Sequence, residues 1–414
     1  MPRRPIDNAI DIPAQLCDDL QLDPAIQPSA PLAEQWDDPT AVFLTGATGF
    51  LGAYLVQELM ARTGATVYYL SRQATPQEAT DRLVQQLRGY QVWQDEFLAR
   101  LVPVLGDLAQ PRLGLSESDF AELAGRVQVL YHNGSWVNNV HDYARLKPTN
   151  VNGTHELVRL AALRQTKPLH FISSMAIFFS AAHPPTTPIG EDAVPGYSHT
   201  LRSGYTLSKW VADHLMQAAQ ERGLPVAIYR PVRVGGHSQT GVSKVGQDGS
   251  FDLLNALIKG SVELGLYPEL DVEIPLVPVD YVSSSVVHLA SQQNSWGKAF
   301  HLVNRRPMHW AELYDLLCRS GYRLEKIPYG EWLRAVKHRA ASLPPKSSFA
   351  ALHLLLTTPN NLQVQRPPFV TEQIEECLCG SGIACPPLDG ALMGRYLSYF
   401  QQMGYLPPIP LEQR

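Results

Sequence analysis

The stretch Ala41-Val-Phe-Leu-Thr-Gly-Ala-Thr-Gly-Phe-Leu-Gly52 decides the fold. It begins with a mostly apolar run that ends at a glycine, which is typical of a short buried strand in a parallel sheet. The three glycines are spaced G-x-x-G-x-x-G and lead into a helical pattern. Glycines let the backbone turn tightly and approach a pyrophosphate, and a helix N-terminus adds unpaired N–H groups. The stretch therefore predicts a nucleotide-binding turn, with a tight turn that binds no ligand as the alternative.

Strand and helix patterns alternate from this stretch to about residue 230. Such alternation predicts a parallel sheet with right-handed crossovers, which is an α/β, Rossmann-type doubly wound fold. After residue 240 the alternation stops, and short helices among prolines predict a smaller, mainly helical C-terminal subdomain. The predicted strands are 41–45, 66–70, 101–105, 127–131, 169–173, 225–229 and 299–303. The predicted helices are 52–62, 76–101, 150–164, 204–222, 251–264, 310–319, 330–341 and 388–403.

Charge is distributed unevenly along the 414 residues and suggests a separate N-terminal part. Residues 1–40 hold two basic and eight acidic groups, although the net charge of the whole chain is only −5. We expect residues 1–37 to be an acidic arm that packs on, or links to, something else. The expected nucleotide-binding domain is 38–240 plus about 275–303, and the expected substrate-binding subdomain is 241–274 and 304–414.

Composition excludes several classes of protein. A hydrophobic fraction of 45% with 18% charged residues is typical of a globular chain and excludes global disorder. The net charge provides no basic field for nucleic acid, and no apolar run reaches the ~18 residues of a membrane span.

Five cysteines, an odd number without a signal peptide, favour reduced thiols in the cytoplasm. Cys377, Cys379 and Cys385 lack the paired spacing of zinc ligands, so we expect no metal.

The end of the second predicted strand indicates which nucleotide binds. An NAD site usually carries an acidic residue there, which bonds the 2′-hydroxyl of the ribose. This strand instead ends Tyr69-Leu-Ser-Arg72. An arginine pairs with a 2′-phosphate through charge-assisted, bidentate hydrogen bonds, so we expect NADPH rather than NADH, with Arg72 on the phosphate. Arg82 is either a second phosphate ligand or part of a solvated helix face.

Two motifs supply candidate catalytic groups. In Tyr205-Thr-Leu-Ser-Lys209 the phenol and the ammonium are four residues apart, on one face of a helix. The Lys209 charge is expected to lower the pKa of Tyr205, which would make the phenol a better proton donor to an oxygen that gains charge. Ser174 is expected to hydrogen-bond the same oxygen, because it stands at the carboxyl end of a strand, where ligands bind in such sheets. Ser173 is the less favoured neighbour, and for either serine the alternative is a hydroxyl bonded to backbone.

These motifs together resemble the extended short-chain dehydrogenase/reductase superfamily. Within it they are similar to the thioester reductase domains that end nonribosomal peptide synthases, polyketide synthases and carboxylic acid reductases. The resemblance covers nearly the whole chain, although Val232 stands where the family usually has glycine and Ser174 where threonine is common. The matching segments are 45–52, 106–108, 132–134, 137–138, 150–154, 173–174, 204–210, 229–231, 278–282, 385–387 and 396–407. The more specific of these are Ser208-Lys-Trp210 and Cys385-Pro-Pro387.

The resemblance implies an activity, a partner and a set of site residues. The activity is NADPH-dependent reductive release of a carrier-bound acyl or peptidyl thioester to an aldehyde, with further reduction to a primary alcohol left open. The partner is an acyl or peptidyl carrier protein with its phosphopantetheine arm, bound by a monomer without nucleic acid or membrane. The catalytic residues would be Ser174, Tyr205 and Lys209. The pyrophosphate of the cofactor would contact Gly46, Thr48, Gly49, Phe50, Leu51 and Gly52. The 2′-phosphate would contact Arg72 and Arg82, and the adenine would contact Asp107 and Leu108. The riboses would contact Asn133, Tyr205 and Lys209, and the nicotinamide would contact Pro231.

Two segments outside the motifs are candidates for substrate handling. Residues 319–346 hold seven basic and two acidic side chains, which predicts either a docking surface for an acidic carrier or a solvated helix face. The loop 181–203 contains four prolines and is a candidate gate.

Three other functions stay open at this point. One is a fatty acyl-CoA or acyl-carrier reductase, and another is a nucleotide-sugar epimerase or dehydratase of the same superfamily, which would not consume NADPH. The third is a non-catalytic NADPH sensor or a cyclising release domain, against which Ser174, Tyr205 and Lys209 argue. No carrier serine motif occurs in the sequence, so we expect either a free-standing protein or one part of a larger synthase.

Overall fold

The structure is a computed structural model that describes residues 12–28, 30–138, 140–201, 203–245, 253–344, 348–357 and 366–409. The chain divides into two compact units. The first unit comprises Met1–Val232, Asp280–Leu302 and Arg366–Ala384. The second comprises Arg233–Val279, Val303–Gln365 and Cys385–Arg414. Residues 366–384, which the sequence assigned to the C-terminal subdomain, therefore lie in the first unit.

The strands of the described residues are short, and most of them follow the predicted positions. They are β1 Ala41–Thr45, β2 Thr66–Ser71, β3 Leu101–Leu105, β4 Val129–His132, β5 Leu169–Ile172, β6 Val226–Pro231, β7 Arg233–Gly235, β8 Leu266–Pro268, β9 Glu273–Ile274, β10 Leu276–Pro278, β11 Ala299–Leu302, β12 Met308–His309 and β13 Glu325–Ile327. Seven of them form one sheet in the first unit, in the order β11-β6-β5-β4-β1-β2-β3. All neighbours in this sheet are parallel, so the predicted doubly wound α/β fold is confirmed.

The strand order reverses at the centre of this sheet. From β1 the chain winds outward through β2 to β3, whereas β4 pairs with the other edge of β1 and leads to β5, β6 and β11. Every residue of β1, β4, β5 and β6 is buried, as expected for strands covered on both faces. Ligands of open α/β sheets bind beyond the carboxyl ends of the strands at such a reversal. A ligand-binding site is therefore expected in the crevice between the carboxyl ends of β1 and β4.

The helices are α1 Ala14–Asp19, α2 Phe50–Arg62, α3 Pro76–Gly89, α4 Glu117–Arg126, α5 Tyr143–Lys147, α6 Gly153–Ala162, α7 Gly204–Glu221, α8 Leu253–Leu264, α9 Val279–Ala290, α10 Trp310–Arg319, α11 Tyr329–Ala341, α12 Ser348–Thr357, α13 Glu372–Leu378 and α14 Gly390–Gln402. The single helix predicted at 76–101 is wrong. α3 ends at Gly89, Gln91 adopts a left-handed φ of 60°, and a separate 3-10 turn covers Asp95–Arg100. The start of the helix predicted at 251–264 lies outside the described residues.

The loop 181–203 is joined to a returning segment of the chain within the first unit. The N–H of Ile189 donates to Pro368 O at 2.9 Å, and the N–H of Val370 donates to Ile189 O at 2.9 Å. The buried carboxylate of Glu191 accepts from the N–H of His301 in β11 at 2.9 Å and from the N–H of Gln373 in α13 at 2.6 Å. Burial raises the pKa of this carboxyl to about 7, because the low-dielectric interior disfavours its charge. These bonds place residues 366–384 in the first unit.

The N-terminal segment also lies against the first unit. Leu16, Leu22 and Ile26 are buried. Arg222, just after α7, donates to the backbone carbonyls of Leu22, Asp23 and Ile26. Asp19 accepts from Lys147 Nζ and from the Tyr143 hydroxyl of α5, each at 2.6 Å. The described part of the expected arm is therefore held by specific contacts to α5 and to the end of α7.

Removing the Arg222 guanidinium tests how much these contacts stabilise the fold. We expect Arg222→Ala to lower the free energy of unfolding by about 1–3 kcal/mol, because it leaves partly buried carbonyls without a donor. We also expect faster limited proteolysis near residues 22–26. Urea unfolding and mass spectrometry of the fragments check both effects, with Arg334→Ala on the exposed face of α11 as the control. Equal cleavage of the two variants would contradict the expectation.

The second unit is mainly helical, with α8, α10, α11, α12 and α14 and three two-stranded pairs. β7 pairs with β10 and β8 with β13, both in parallel, whereas β9 and β12 are antiparallel. Trp332 and Tyr314 are fully buried in its core. In neither unit is any described helix long and apolar enough to cross a membrane.

Candidate active site

The glycine turn after β1 is closely packed against the end of β4. Gly46 has a φ of +74°, in the left-handed region, and a Cβ there would lie 2.8 Å from the Gly134 backbone. A Cβ at Gly52 would lie 1.9 Å from Gly46 O, so both positions require glycine. Asn133 Nδ2 donates to Gly46 O at 3.1 Å and fixes the turn. Gly49 is exposed at the N-terminus of α2, where no side chain caps the helix.

A buried chain of hydrogen bonds supports this turn from below. The N–H of Gly134 donates to Thr45 Oγ1 at 2.9 Å, and this hydroxyl lies 2.9 Å from His132 Nδ1. His132 Nε2 lies 3.0 Å from Thr154 Oγ1, which donates to Asn150 O at 2.7 Å. This network assigns the ring hydrogen of His132 to Nε2. Burial, assisted by the Lys209 charge, lowers the pKa of His132 to about 3, so the ring is neutral at physiological pH.

The groups expected around the adenosine end follow β2 and β3. Arg72, directly after β2, and Arg82, in α3, are both exposed, and neither forms an ion pair with any described residue. The ends of the two strands are joined by the N–H of Gly106, which donates to Ser71 O at 2.8 Å. The Asp107 carboxylate accepts from the N–H of Ala109 at 3.0 Å. Leu108 is buried. Gly134 and Gly153 can approach it closely because neither has a side chain.

The three expected catalytic residues lie on two elements, the end of β5 and the start of α7, which a hydrogen bond joins. Lys209 is buried in α7 and its Nζ donates to Ile172 O at 2.6 Å, while lying 4.7 Å from the centre of the Phe171 ring. Ser174 follows Ile172 by two residues, and Tyr205 precedes Lys209 by one helical turn. Both side chains are half-buried. The Lys209 ammonium and Ser174 thus lie at the carboxyl end of β5, and Tyr205 lies in the first turn of α7.

The two neighbouring serines have different environments. The Ser173 hydroxyl is buried and donates to Asp213 Oδ2 at 2.6 Å. The Ser174 Oγ accepts from the N–H of Ala176 at 3.2 Å as the cap of a 3-10 turn, and no described residue accepts its hydrogen. Ser174 therefore has a proton to donate to a ligand, whereas Ser173 is committed to Asp213.

The direction expected for the pKa of Tyr205 is wrong. Burial raises the pKa of Tyr205 to about 12, because the apolar surroundings disfavour the phenolate. Burial lowers the pKa of Lys209 to about 7, against an opposing effect of Asp213, so the lysine charge is itself weakened. Tyr205 thus keeps its proton at neutral pH, which suits a proton donor.

A buried ion pair that the motifs did not reveal joins α7, β6 and the loop 181–203. Arg230 is 1% exposed, and its Nη2 and Nε lie 2.8 and 3.1 Å from the two carboxylate oxygens of Asp213. Its Nη1 donates to the carbonyls of Glu191 and Ala193 in the loop 181–203. The only sequence signal was the Tyr229-Arg-Pro231 match, whose Pro231 is buried at the end of β6.

The loop 181–203 is also attached to the catalytic helix by a tryptophan. Trp210 is fully buried next to Lys209, and its Nε1 donates to Pro195 O at 2.9 Å. The Tyr197 ring packs on the same indole, with 5.5 Å between the centres. The described residues of this loop are therefore anchored at both α7 and β6.

The other predicted features are the basic segment 319–346 and the C-terminal cysteines. Arg334, Lys337 and Arg339 are exposed on α11, whereas Lys326 pairs with Glu269 at 2.8 Å and Lys346 lies outside the described residues. Docking of a carrier on α11 stays a prediction. Cys377 is buried and Cys379 exposed, and nowhere in the described parts of the chain do three or more His, Cys, Asp or Glu side chains form a group suited to a metal.

Comparison with known proteins identifies the family. Residues 44–286 match the NAD-binding domain family described as male sterility protein. The chain is 38% identical to part of a linear gramicidin synthase protein of Brevibacillus parabrevis, and 34% identical to part of the isonitrile lipopeptide synthase of Streptomyces coeruleorubidus. These matches cover 94% and 96% of this chain but only 8% and 27% of the two relatives.

A solved structure matches along nearly the whole of its length. The crystal structure of the terminal R domain from the myxalamid PKS-NRPS pathway is similar with a TM-score of 0.88 and 36% identity, covering 96% of this chain and 99% of that one. This chain belongs to the NAD-binding family that includes the terminal thioester reductase (R) domains of peptide and polyketide synthases, and it is an oxidoreductase with a nicotinamide cofactor.

Proposed function

We propose that this chain releases an acyl or peptidyl group from a carrier protein by NADPH-dependent reduction of the thioester to an aldehyde. One observation carries the proposal. Lys209 Nζ bonds Ile172 O at the end of β5, which holds the helix that carries Tyr205 against the strand that leads into Ser174. We assign cofactor binding to the first unit and contacts with the acyl group and the folded carrier domain to the second.

The first unit fits NADPH on two counts. The exposed Gly49 leaves the uncapped N-terminus of α2 open to the pyrophosphate, where backbone N–H groups and the helix dipole favour an anion. Arg72 is exposed after β2 without an acidic partner among the described residues, so its guanidinium is available to a 2′-phosphate. The proposed contacts of Asp107, Leu108, Asn133 and Pro231 follow from their positions after β3, after β4 and at the end of β6.

The residues at the end of β5 then act on the thioester carbonyl. NADPH supplies the hydride when bound. Ser174 and Tyr205 donate hydrogen bonds to the carbonyl oxygen and stabilise its developing negative charge. Tyr205 transfers its proton to that oxygen, and Lys209 supplies positive charge beside it while protonated. The resulting hemithioacetal breaks its C–S bond, which gives an aldehyde and the free thiol of the carrier arm.

The reaction is tested by following NADPH oxidation with acyl-pantetheine, acyl-CoA and carrier-bound thioesters, and with the matching aldehydes, together with product mass. We expect one NADPH per aldehyde formed, and reaction of the aldehyde itself would show reduction to an alcohol. A preference for acyl-CoA over the carrier would favour the fatty acyl reductase alternative. Absence of NADPH oxidation with every thioester would refute the proposal.

The choice of NADPH is tested at Arg72. We expect Arg72→Ala to raise the KM for NADPH about 10–100-fold and to leave the KM for NADH nearly unchanged, since a hydrogen bond to a charged group contributes about 1.5–3 kcal/mol. Arg88→Ala, at the exposed end of α3, is the matched control. Equal effects of Arg72→Ala on the two cofactors would show that Arg72 does not read the 2′-phosphate.

A further inference from the structure

An exposed apolar patch lies on the loop that follows β4. Trp136, Val137 and Val140 are 38%, 64% and 53% exposed, and they are half of the large apolar side chains that the described structure exposes. Arg145 in α5 is also exposed, and its guanidinium carbon lies 5.7 Å from the centre of the Trp136 ring. We call these four side chains the Trp136 patch. A cation stacked on an exposed indole, beside apolar groups, suits a ligand that is part anion and part hydrocarbon.

The patch is rigidly attached to the catalytic helix. Asn150 is buried, and its side chain accepts from the N–H of Trp136 at 2.7 Å and donates to Trp136 O at 3.2 Å. The same amide donates to Ser208 Oγ at 2.9 Å, and Ser208 in turn donates to Tyr205 O at 2.8 Å. Four hydrogen bonds through Asn150 and Ser208 therefore connect the backbone of Trp136 to that of Tyr205.

The far end of the loop meets the same helix. A Cβ at Gly204 would lie 2.4 Å from His141 O, so the chain before α5 passes directly over the residue that precedes Tyr205. Asn138 Oδ1 accepts from the N–H groups of Val140 and His141, each at 2.8 Å. The described residues of this loop thus lie against the start of α7, the helix that carries the proposed proton donor.

We propose that the Trp136 patch binds the phosphopantetheine arm of the carrier, with Arg145 at its phosphate and the three apolar side chains along its pantoyl part. The proposal rests on the proposed thioester reduction. Two features favour this occupant over a purely apolar acyl chain. Arg145 offers a positive charge that an acyl chain would leave unused, and no described carboxylate pairs with it. The loop also reaches Tyr205 from outside, as an arm that delivers its thioester to that residue must do.

The test compares one acyl group on three thiols: 4′-phosphopantetheine, pantetheine and N-acetylcysteamine. We expect Trp136→Ala to lower kcat/KM for both pantetheine thioesters about tenfold relative to the N-acetylcysteamine thioester, as for a central aromatic contact. We expect Arg145→Gln to lower only the phosphopantetheine value, by about three- to fivefold at low salt, with no difference at 1 M salt. Val137→Asp should also lower kcat/KM for the pantetheine thioesters relative to the N-acetylcysteamine thioester. Because Val137 is exposed, this second variant tests the patch even if the tryptophan variant misfolds.

The matched control is the second arginine–tryptophan pair of the first unit, Arg88 and Trp93, whose guanidinium lies 5.9 Å from the ring centre. Trp93→Ala should change none of the ratios. If the wild type reduces the thioesters but Trp136→Ala and Val137→Asp leave both ratios of pantetheine to N-acetylcysteamine thioester unchanged, the subsite is wrong and the proposed function stands. If Trp136→Ala impairs the N-acetylcysteamine thioester equally, the patch serves the acyl group or the helix, which also overturns the proposal. Wild-type enzyme that reduces none of the thioesters would instead refute the proposed function.

Discussion

Replacing Tyr205 by phenylalanine is expected to lower kcat for thioester reduction by about 10²–10⁴-fold, which is the usual contribution of a positioned general acid. The variant keeps the ring and its packing but has no proton to give to the carbonyl oxygen. Because burial raises the pKa of Tyr205 to about 12, the wild-type phenol is fully protonated at the pH of the assay. Steady-state NADPH oxidation with a pantetheine thioester measures the effect.

Two measurements separate this loss from trivial causes. NADPH binding, followed by fluorescence titration, should weaken by less than about tenfold, since only one hydrogen bond is removed. The unfolding midpoint in urea should be close to that of the wild type. Tyr329→Phe, on α11 of the second unit, is the control and should keep full activity. Undiminished activity of Tyr205→Phe would remove Tyr205 from the mechanism.

Replacing Arg230 by methionine is expected to destabilise the protein by about 3–5 kcal/mol, the cost of leaving one partner of a buried ion pair without the other. Asp213 is fully buried and would keep only the bonds from Ser173 and Gln217. Urea denaturation at pH 7 measures the change. Arg126→Met is the control, because its pair with Glu122 is exposed to solvent and its loss should change the stability much less.

The pH dependence of the Arg230→Met variant identifies the cause. Burial alone would raise the pKa of Asp213, but in the wild type Arg230 holds it below its usual value. Without Arg230, the pKa of Asp213 in the folded state lies above its unfolded value of about 3.9, so the folded state favours the protonated acid. Protonation of Asp213 therefore stabilises the variant at low pH, and this stabilisation is lost as the pH rises above about 3.9. The destabilisation should therefore be smaller at pH 5 than at pH 8. A pH-independent loss, or a double variant with Asp213→Leu as unstable as the sum of the single changes, would argue against an uncompensated charge.

Local patterns predicted the parts of this molecule that depend on neighbouring residues. The run from Ala41 to Gly52 predicted β1, the glycine turn and α2, because apolar strand residues and tight glycine turns are local requirements. The spacing of Tyr205 and Lys209 predicted one helical face for the same reason. The strand at 299–303 was also recognised, but not its place beside β6, because pairing between Ala299 and Ile228 leaves no mark on either segment.

The features that the sequence did not reveal depend on contacts between distant segments. Thr45 and His132 are 87 positions apart, and each is unremarkable in its own strand. Arg230 and Asp213 are each ordinary charged residues until the fold buries both. The direction of the pKa of Tyr205 was wrong for the same reason, since spacing indicates a neighbouring charge but not the loss of water around the phenol. The break in the helix at 76–101 depends on a left-handed Gln91, and glutamine is not a residue type that indicates such a turn.

The hydrogen bonds between Ile189 and residues 368–370 have a consequence for building chimeric proteins from this family. The chain leaves the first unit after Leu302 and returns to it at Arg366, so the loop 181–203 and the segment bonded to it are remote from each other in the gene. A graft that exchanged everything beyond residue 303 would separate the parental origin of residues 366–384 from that of the loop 181–203. Recombination that preserves the native pairing has to carry the loop 181–203 and residues 366–384 from the same parent.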